Sequence, residues 1–189
     1  MPSGRAPAEA VERYRAQFVE TVRCIAHGSR ASSRERRYEV DQEYTIALNR
    51  SEPLQLRSSP GRYLSASQRF RVARNEGGST GPFLAYTIEY WYQFLFDDEV
   101  ELLAYHWTPE AFALGQKTYP HLHIGAAMVS VAAPVFPDTF HKKHVPSGQV
   151  SIESVVRFAI EELGVPPLRR DWSDILDRGQ RQFDDDQLE

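Results

Sequence analysis

Five of the six histidines in this 189-residue chain fall between His106 and His144. Two of them lie at i and i+2 in Tyr119-Pro-His-Leu-His-Ile-Gly125, so an extended backbone would point both imidazoles to one side. Imidazole is the commonest side-chain ligand for first-row divalent ions, and three protein ligands leave a coordination position open for chemistry. His121 and His123, with His106 or Glu110 as a third ligand, are therefore a candidate site for zinc or another first-row divalent metal. The same residues allow a metal-free alternative, in which one neutral and one protonated imidazole near neutral pH act as base and acid in phosphodiester cleavage. A third reading needs no chemistry: His106 packs among tyrosines, His121 and His123 line a strand, and His141 and His144 decorate the surface. The last two share a face if Phe140–His144 is helical and diverge if it is extended.

Charge suggests what such a site would act on. Residues 1–75 carry 14 basic and 8 acidic side chains, residues 76–189 carry 8 and 18, and the net charge is −4. Overall acidity argues against strong nonspecific nucleic-acid binding, which depends on neutralising phosphates, but leaves room for a basic patch in the first half. Arg69 and Arg71 are the candidate anion clamps. The resulting expectation is a histidine-centred hydrolase, metal-dependent or two-histidine, acting on nucleic acid or nucleotide phosphoesters. The competing class is a noncatalytic protein-binding module anchored by Trp91, Tyr105 and Trp107, since aromatic residues dominate interface energetics.

Several familiar chemistries are excluded. Gly77-Gly78-Ser79-Thr80-Gly81 lacks the Lys-Ser/Thr ending of a phosphate-binding loop, and there is no zinc-protease His-Glu-x-x-His, Cys-x-x-Cys, nucleophile elbow or dinucleotide glycine fingerprint. Gly125 stands where histidine-triad hydrolases need a third histidine. Gly125-Ala-Ala-Met128 follows where cupin-like barrels carry a glutamate.

The elements that must position the histidines can be read from periodicity. Tyr86, Ile88, Tyr90, Tyr92, Phe94 and Phe96 alternate with Thr87, Glu89, Trp91 and Gln93, which is strand patterning in β-prone residue types. Val100–Trp107 alternates likewise, and Asp97-Asp98 is turn chemistry, so Ala85–Trp107 reads as a hairpin. A three-residue loop over Asp97–Glu99 sets Phe96 opposite Val100, Phe94 opposite Leu102 and Tyr90 opposite His106.

Around this hairpin, Val11, Tyr14, Phe18, Val22 and Ile25 recur at helical spacing, with Pro7 in the first turn and Gly28 beyond the last. Arg30, Arg34, Arg36 and Arg37 follow in a polar stretch. Tyr38–Leu48 reads as a strand whose outward Glu39, Asp41 and Glu43 meet either a cation or Arg69 and Arg71 of the next strand. Phe70 and Val72 mark a short strand between the long connections Asn49–Ala66 and Asn75–Pro82. His121–Val131 is an inner strand. Ser151 caps a helix reaching Leu163, Pro166-Pro167 stops it, and Asp171 opens a shorter helix with Trp172, Ile175 and Leu176 inward. The expected fold is α+β: an antiparallel sheet covered by an N-terminal helix and C-terminal helices, one domain over residues 1–183 and an acidic disordered tail over 184–189. The lone Cys24, the absence of a 20-residue apolar run and an amphipathic N-terminus suggest a soluble, cytoplasmic protein.

Overall fold

A computed structural model describes residues 2–33, 35, 37–57, 59, 61–76, 81–97, 99–110, 117–126 and 143–186. It shows an antiparallel sheet with one helix before it and two after, an α+β layout. In chain order the elements are β1 (Ser3–Gly4), α1 (Pro7–Val22), β2 (Ala31–Ser32), β3 (Glu43–Leu48), β4 (Leu54–Gln55), β5 (Arg62–Arg74), β6 (Phe83–Phe96), β7 (Val100–Trp107), β8 (His121–Ile124), β9 (Val145–Pro146), α2 (Ile152–Glu161) and α3 (Trp172–Asp186). The sheet runs β2-β3-β5-β6-β7-β8-β9, with β1 paired to β6 and β4 to β5. The β6–β7 hairpin thus lies near its centre.

One face of the sheet is buried by the helices. Val11, Tyr14, Phe18 and Val22 of α1 and Ile152, Val155, Val156 and Ala159 of α2 pack with Ile46, Leu64, Phe70, Val72, Tyr90, Tyr92 and Phe94 of the strands. Burial of this many aliphatic and aromatic side chains, at roughly 1.5–3 kcal/mol each, is what holds the layers together. Pro7 occupies the first turn of α1, and the Ser151 hydroxyl caps α2 by accepting from the Ser154 amide at 2.9 Å. Ile25 lies beyond the end of α1 but is fully buried. α3 continues to Asp186, so helical backbone reaches into the stretch that was expected to be disordered. No helix among the described residues is long and apolar enough to cross a membrane.

Three strand expectations need correction. β5 is not a short strand around Phe70 and Val72 but a thirteen-residue one, because Leu64, Ala66, Gln68, Phe70 and Val72 alternate inward along its pairing with β6. Its Arg62–Ala66 part, read as connection, pairs with β6 throughout and with β4 at Tyr63 and Leu64. β3 begins only at Glu43, and Asp41, with φ of 62°, sits in a turn rather than on a strand face. Glu43 does meet Arg69 and Arg71 as a cross-strand ladder. Finally, the hairpin pairs Phe96 with Val100 as expected, but a bulge shifts the register so that Phe94 opposes Leu103, Trp91 opposes His106 and Tyr90 opposes Trp107. The extra residue at Leu102 moves every later side chain of β7 to the other face. A second irregularity, at Ile88, puts Thr87 opposite Phe70 beneath the helices and Tyr86 opposite Arg71 on the outer face.

Candidate metal centre

The Leu102 bulge decides what His106 does. With it, Leu103, Tyr105 and Trp107 turn toward the helix-covered core, while Ala104 and His106 turn outward. His106 therefore does not lie among the core tyrosines; Trp91 covers it instead, ring centroids 3.7 Å apart at 32°. β8 pairs with β7 so that His121 opposes His106 and His123 opposes Ala104, which places both β8 histidines on the same outer face. Ala104, fully buried, is the small residue over which the His123 ring finds room. Gly125 closes β8 against the bulge: its amide donates to the Leu102 carbonyl at 2.8 Å, and a Cβ there would collide with the Glu101 carbonyl. A third histidine at that position is sterically forbidden.

The ligand atoms of His106, His121 and His123 all lie within 4.8 Å of one another. The His106 and His123 rings are 4.5 Å apart, and those of His121 and His123 are 5.0 Å apart. His144, just before β9, joins them with its ring 4.8 Å from His121 and 4.5 Å from His123. The Nδ1–H of His121 donates to the Tyr119 carbonyl at 2.7 Å, because a carbonyl can only accept. That bond fixes the tautomer and leaves Nε2 as a lone pair, the usual arrangement behind a metal-bound histidine. Among the described residues, Nε2 of His106, Nε2 of His123 and Nδ1 of His144 are buried without a hydrogen-bond partner. Each such atom costs about 1–3 kcal/mol when left unmet.

Burial, reinforced by the neighbouring imidazoles, pushes His106 down to about 3. Burial and the same crowding hold His123 below the usual range, opposed by Glu101. His144 is lowered by burial, His121 and Lys117. These three rings are consequently neutral at physiological pH, the protonation state of a metal ligand. Protonating any of them would set positive charge beside the others.

The histidines line a hollow of about 360 Å³ with Trp91, Thr108 and Lys117. The other sequence-derived candidates lie elsewhere. Arg69 and Arg71 share the outer face but border a separate hollow with Tyr86, Trp107 and Glu110. Arg69 is paired to Glu43, Glu89 and Glu110, and Arg71 to Glu43. Burial raises the Glu89 carboxyl, and Arg69 opposes the shift. Glu110, once an alternative third ligand, belongs to this ladder and not to the histidines. Neither His144 nor Trp91, the latter expected as an interface anchor, was expected beside the other histidines; the first is 21 positions from His123 in sequence, and strand pairing brings it back. Arg34, Arg36, His141, Gly77–Thr80, Ala111–Gln116 and the 127–131 part of the expected inner strand lie outside the described residues. No family model matches the chain, and comparisons with curated proteins and with solved structures returned no match.

Proposed function

We propose that His106, His121 and His123 hold a first-row divalent cation, zinc foremost, and that the centre hydrolyses phosphoesters. The observation that carries this reading is the convergence of three histidines, one ring nitrogen of each lying within 4.8 Å of the others, beside Nε2 atoms of His106 and His123 that meet no hydrogen-bond partner among the described residues and an Nε2 of His121 left free by the bond to the Tyr119 carbonyl. Ligand atoms gathered within 4.8 Å are near enough for His106, His121 and His123 to hold one such ion between them. The ion would polarise the ester and lower the pKa of its bound water to about 7. His144, neighbour to His121 and His123, is the base that takes the water proton as oxygen bonds to phosphorus; the proton then goes to the departing oxygen as its bond breaks. Lys117 supplies positive charge at the rim. Arg69 and Arg71, engaged by carboxylates, leave that role to it. The two-histidine alternative needs one imidazole to stand protonated before the substrate arrives, which the downward shifts of His106, His123 and His144 disfavour, whereas a base at His144 starts from the neutral ring and holds the proton only until the departing oxygen takes it. The protein-binding alternative loses two of its three anchors, since Tyr105 and Trp107 face the core and only Trp91 faces out.

The test is elemental analysis of untagged protein, with phosphomonoesterase, phosphodiesterase and nuclease assays on the parent and two variants. About one equivalent of metal is expected in the parent. His123→Ala should lose both metal and activity, whereas His144→Ala should keep the metal and lose roughly 100-fold or more in kcat. A folded parent that binds no first-row metal, or a folded His121→Ala/His123→Ala protein with undiminished activity, ends the reading.

A further inference from the structure

Trp91 is the least expected residue at this centre. It stands outward on β6 with 45% of its surface exposed, although a tryptophan on a central strand ordinarily finds cover. One flank of the indole rests on His106. On the other flank the residue opposite is Ser67 of β5, whose short side chain leaves the ring uncovered. Tyr119, 39% exposed, sets its ring 5.7 Å from His121. The hollow that Trp91 lines with the histidines, about 360 Å³, is within the range of small-molecule sites and sets the indole together with Lys117 and the hydroxyl-bearing Thr108.

We infer that Trp91 is a specificity-determining residue: it stacks the planar ring of a phosphoester substrate whose anionic group lies toward Lys117 and the histidines. The inference rests on the metal-centre reading and adds the class of substrate, a phosphoester bearing an aromatic ring, whether a nucleobase or a simple aryl group. Stacking is tolerant of ring identity because every such ring presents a π-face. Phosphoesters without a ring reach the same ion and the same lysine but gain nothing from the indole.

The experiment uses the full chain loaded with cobalt(II), whose visible spectrum reports both occupancy of the centre and entry of an anion. Four probes are titrated in matched pairs: phenyl phosphate against butyl phosphate, and adenosine 5′-monophosphate against ribose 5-phosphate. In the parent the ring-bearing member of each pair should bind more tightly. Trp91→Leu should leave the cobalt spectrum in place, weaken the ring-bearing probes by roughly tenfold to a hundredfold and leave the ringless ones unchanged; Trp91→Phe should recover much of the loss. If only the adenosine pair responds, the ring is a nucleobase; if both do, any aryl ester qualifies. Cobalt-loaded parent that binds both members of each pair equally, or a Trp91→Leu protein weakened equally for all four, overturns the stacking role while leaving the metal centre standing. A parent that takes up no cobalt overturns the metal reading and this inference with it.

Discussion

Two regions of the molecule bury polar groups, and they do so differently. Beneath the helices, the Tyr14 hydroxyl donates to the Gln68 carbonyl at 2.7 Å and meets Thr87 at 2.8 Å, and Gln68 donates to Tyr92 at 2.6 Å. Nearby, the Glu153 carboxylate, 2% exposed, accepts from Thr21 at 3.0 Å and Gln17 at 3.2 Å. On the outer face Nε2 of His106, Nε2 of His123 and Nδ1 of His144 find no such partners among the described residues. Buried polar groups that are satisfied make a region structurally complete; buried groups left unmet carry a cost that a ligand can remove. The helix-side network is a finished part of the core, and the histidine face is the one that the proposed ion would complete.

The comparison is sharpened most by adding the ion. Anything that binds only the folded state stabilises it by mass action, about 2.7 kcal/mol when present at 100 times its dissociation constant. Zinc titrated into chelator-treated parent should raise Tm by several degrees, and the same titration of a His121→Ala/His123→Ala protein should not. Equal shifts in both proteins would mean that the ion binds elsewhere and that the histidine face is no different in kind from the helix side.

A smaller effect tests the claim that the helix side is complete. Gly179 stands inside α3, where alanine would ordinarily improve helix stability by about 1 kcal/mol. Here a Cβ would collide with the Glu153 carboxylate, which its hydrogen bonds hold in place. Gly179→Ala should therefore destabilise, by roughly 1–3 kcal/mol in urea unfolding, with metal content unchanged. A stabilised variant would show that the Glu153 pocket has slack.

The sequence disclosed the layers better than the site. Alternation in Tyr90–Phe94 and the helical stripes of α1 and α2 made the α+β class readable, because each element has one apolar face and only a layered packing buries them together. The bulges at Leu102 and Ile88 were not readable: neither is a glycine, and each exists only through pairing with a neighbouring strand. Yet the Leu102 bulge is what carries His106 from the tyrosine face to the histidine face, so His106 was named as a candidate beside His121 and His123 for a register that would have kept it from them. His121 and His123 needed nothing beyond an extended backbone, and their pairing was visible from spacing alone. His144 and Trp91 depended on long-range strand order, which no local pattern encodes.

The smallest effect expected is the pH dependence of the metal-free protein, and it separates the two regions by sign. His106 is held down to about 3 by burial and the surrounding imidazoles, against an ordinary value near 6.5. Below about pH 6.5 the unfolded chain takes up a proton that the folded chain refuses, so stability falls as pH drops and goes on falling until about pH 3. The Glu153 carboxyl, raised by burial, has the opposite sense: its folded form keeps a proton that the unfolded chain has already lost, and stability falls as pH climbs from about 4.5 through the raised value. For His106 alone the loss between about pH 7.5 and 5.5 amounts to about 1.4 kcal/mol. Subtracting the urea stability of a His106→Gln variant from that of the parent, both with chelator present, isolates this contribution from Glu153. The difference should move against the parent by about that amount over the interval. A difference that stays flat would mean that the folded state accepts a proton at His106, and an imidazole able to do that is solvated well enough to need no ion.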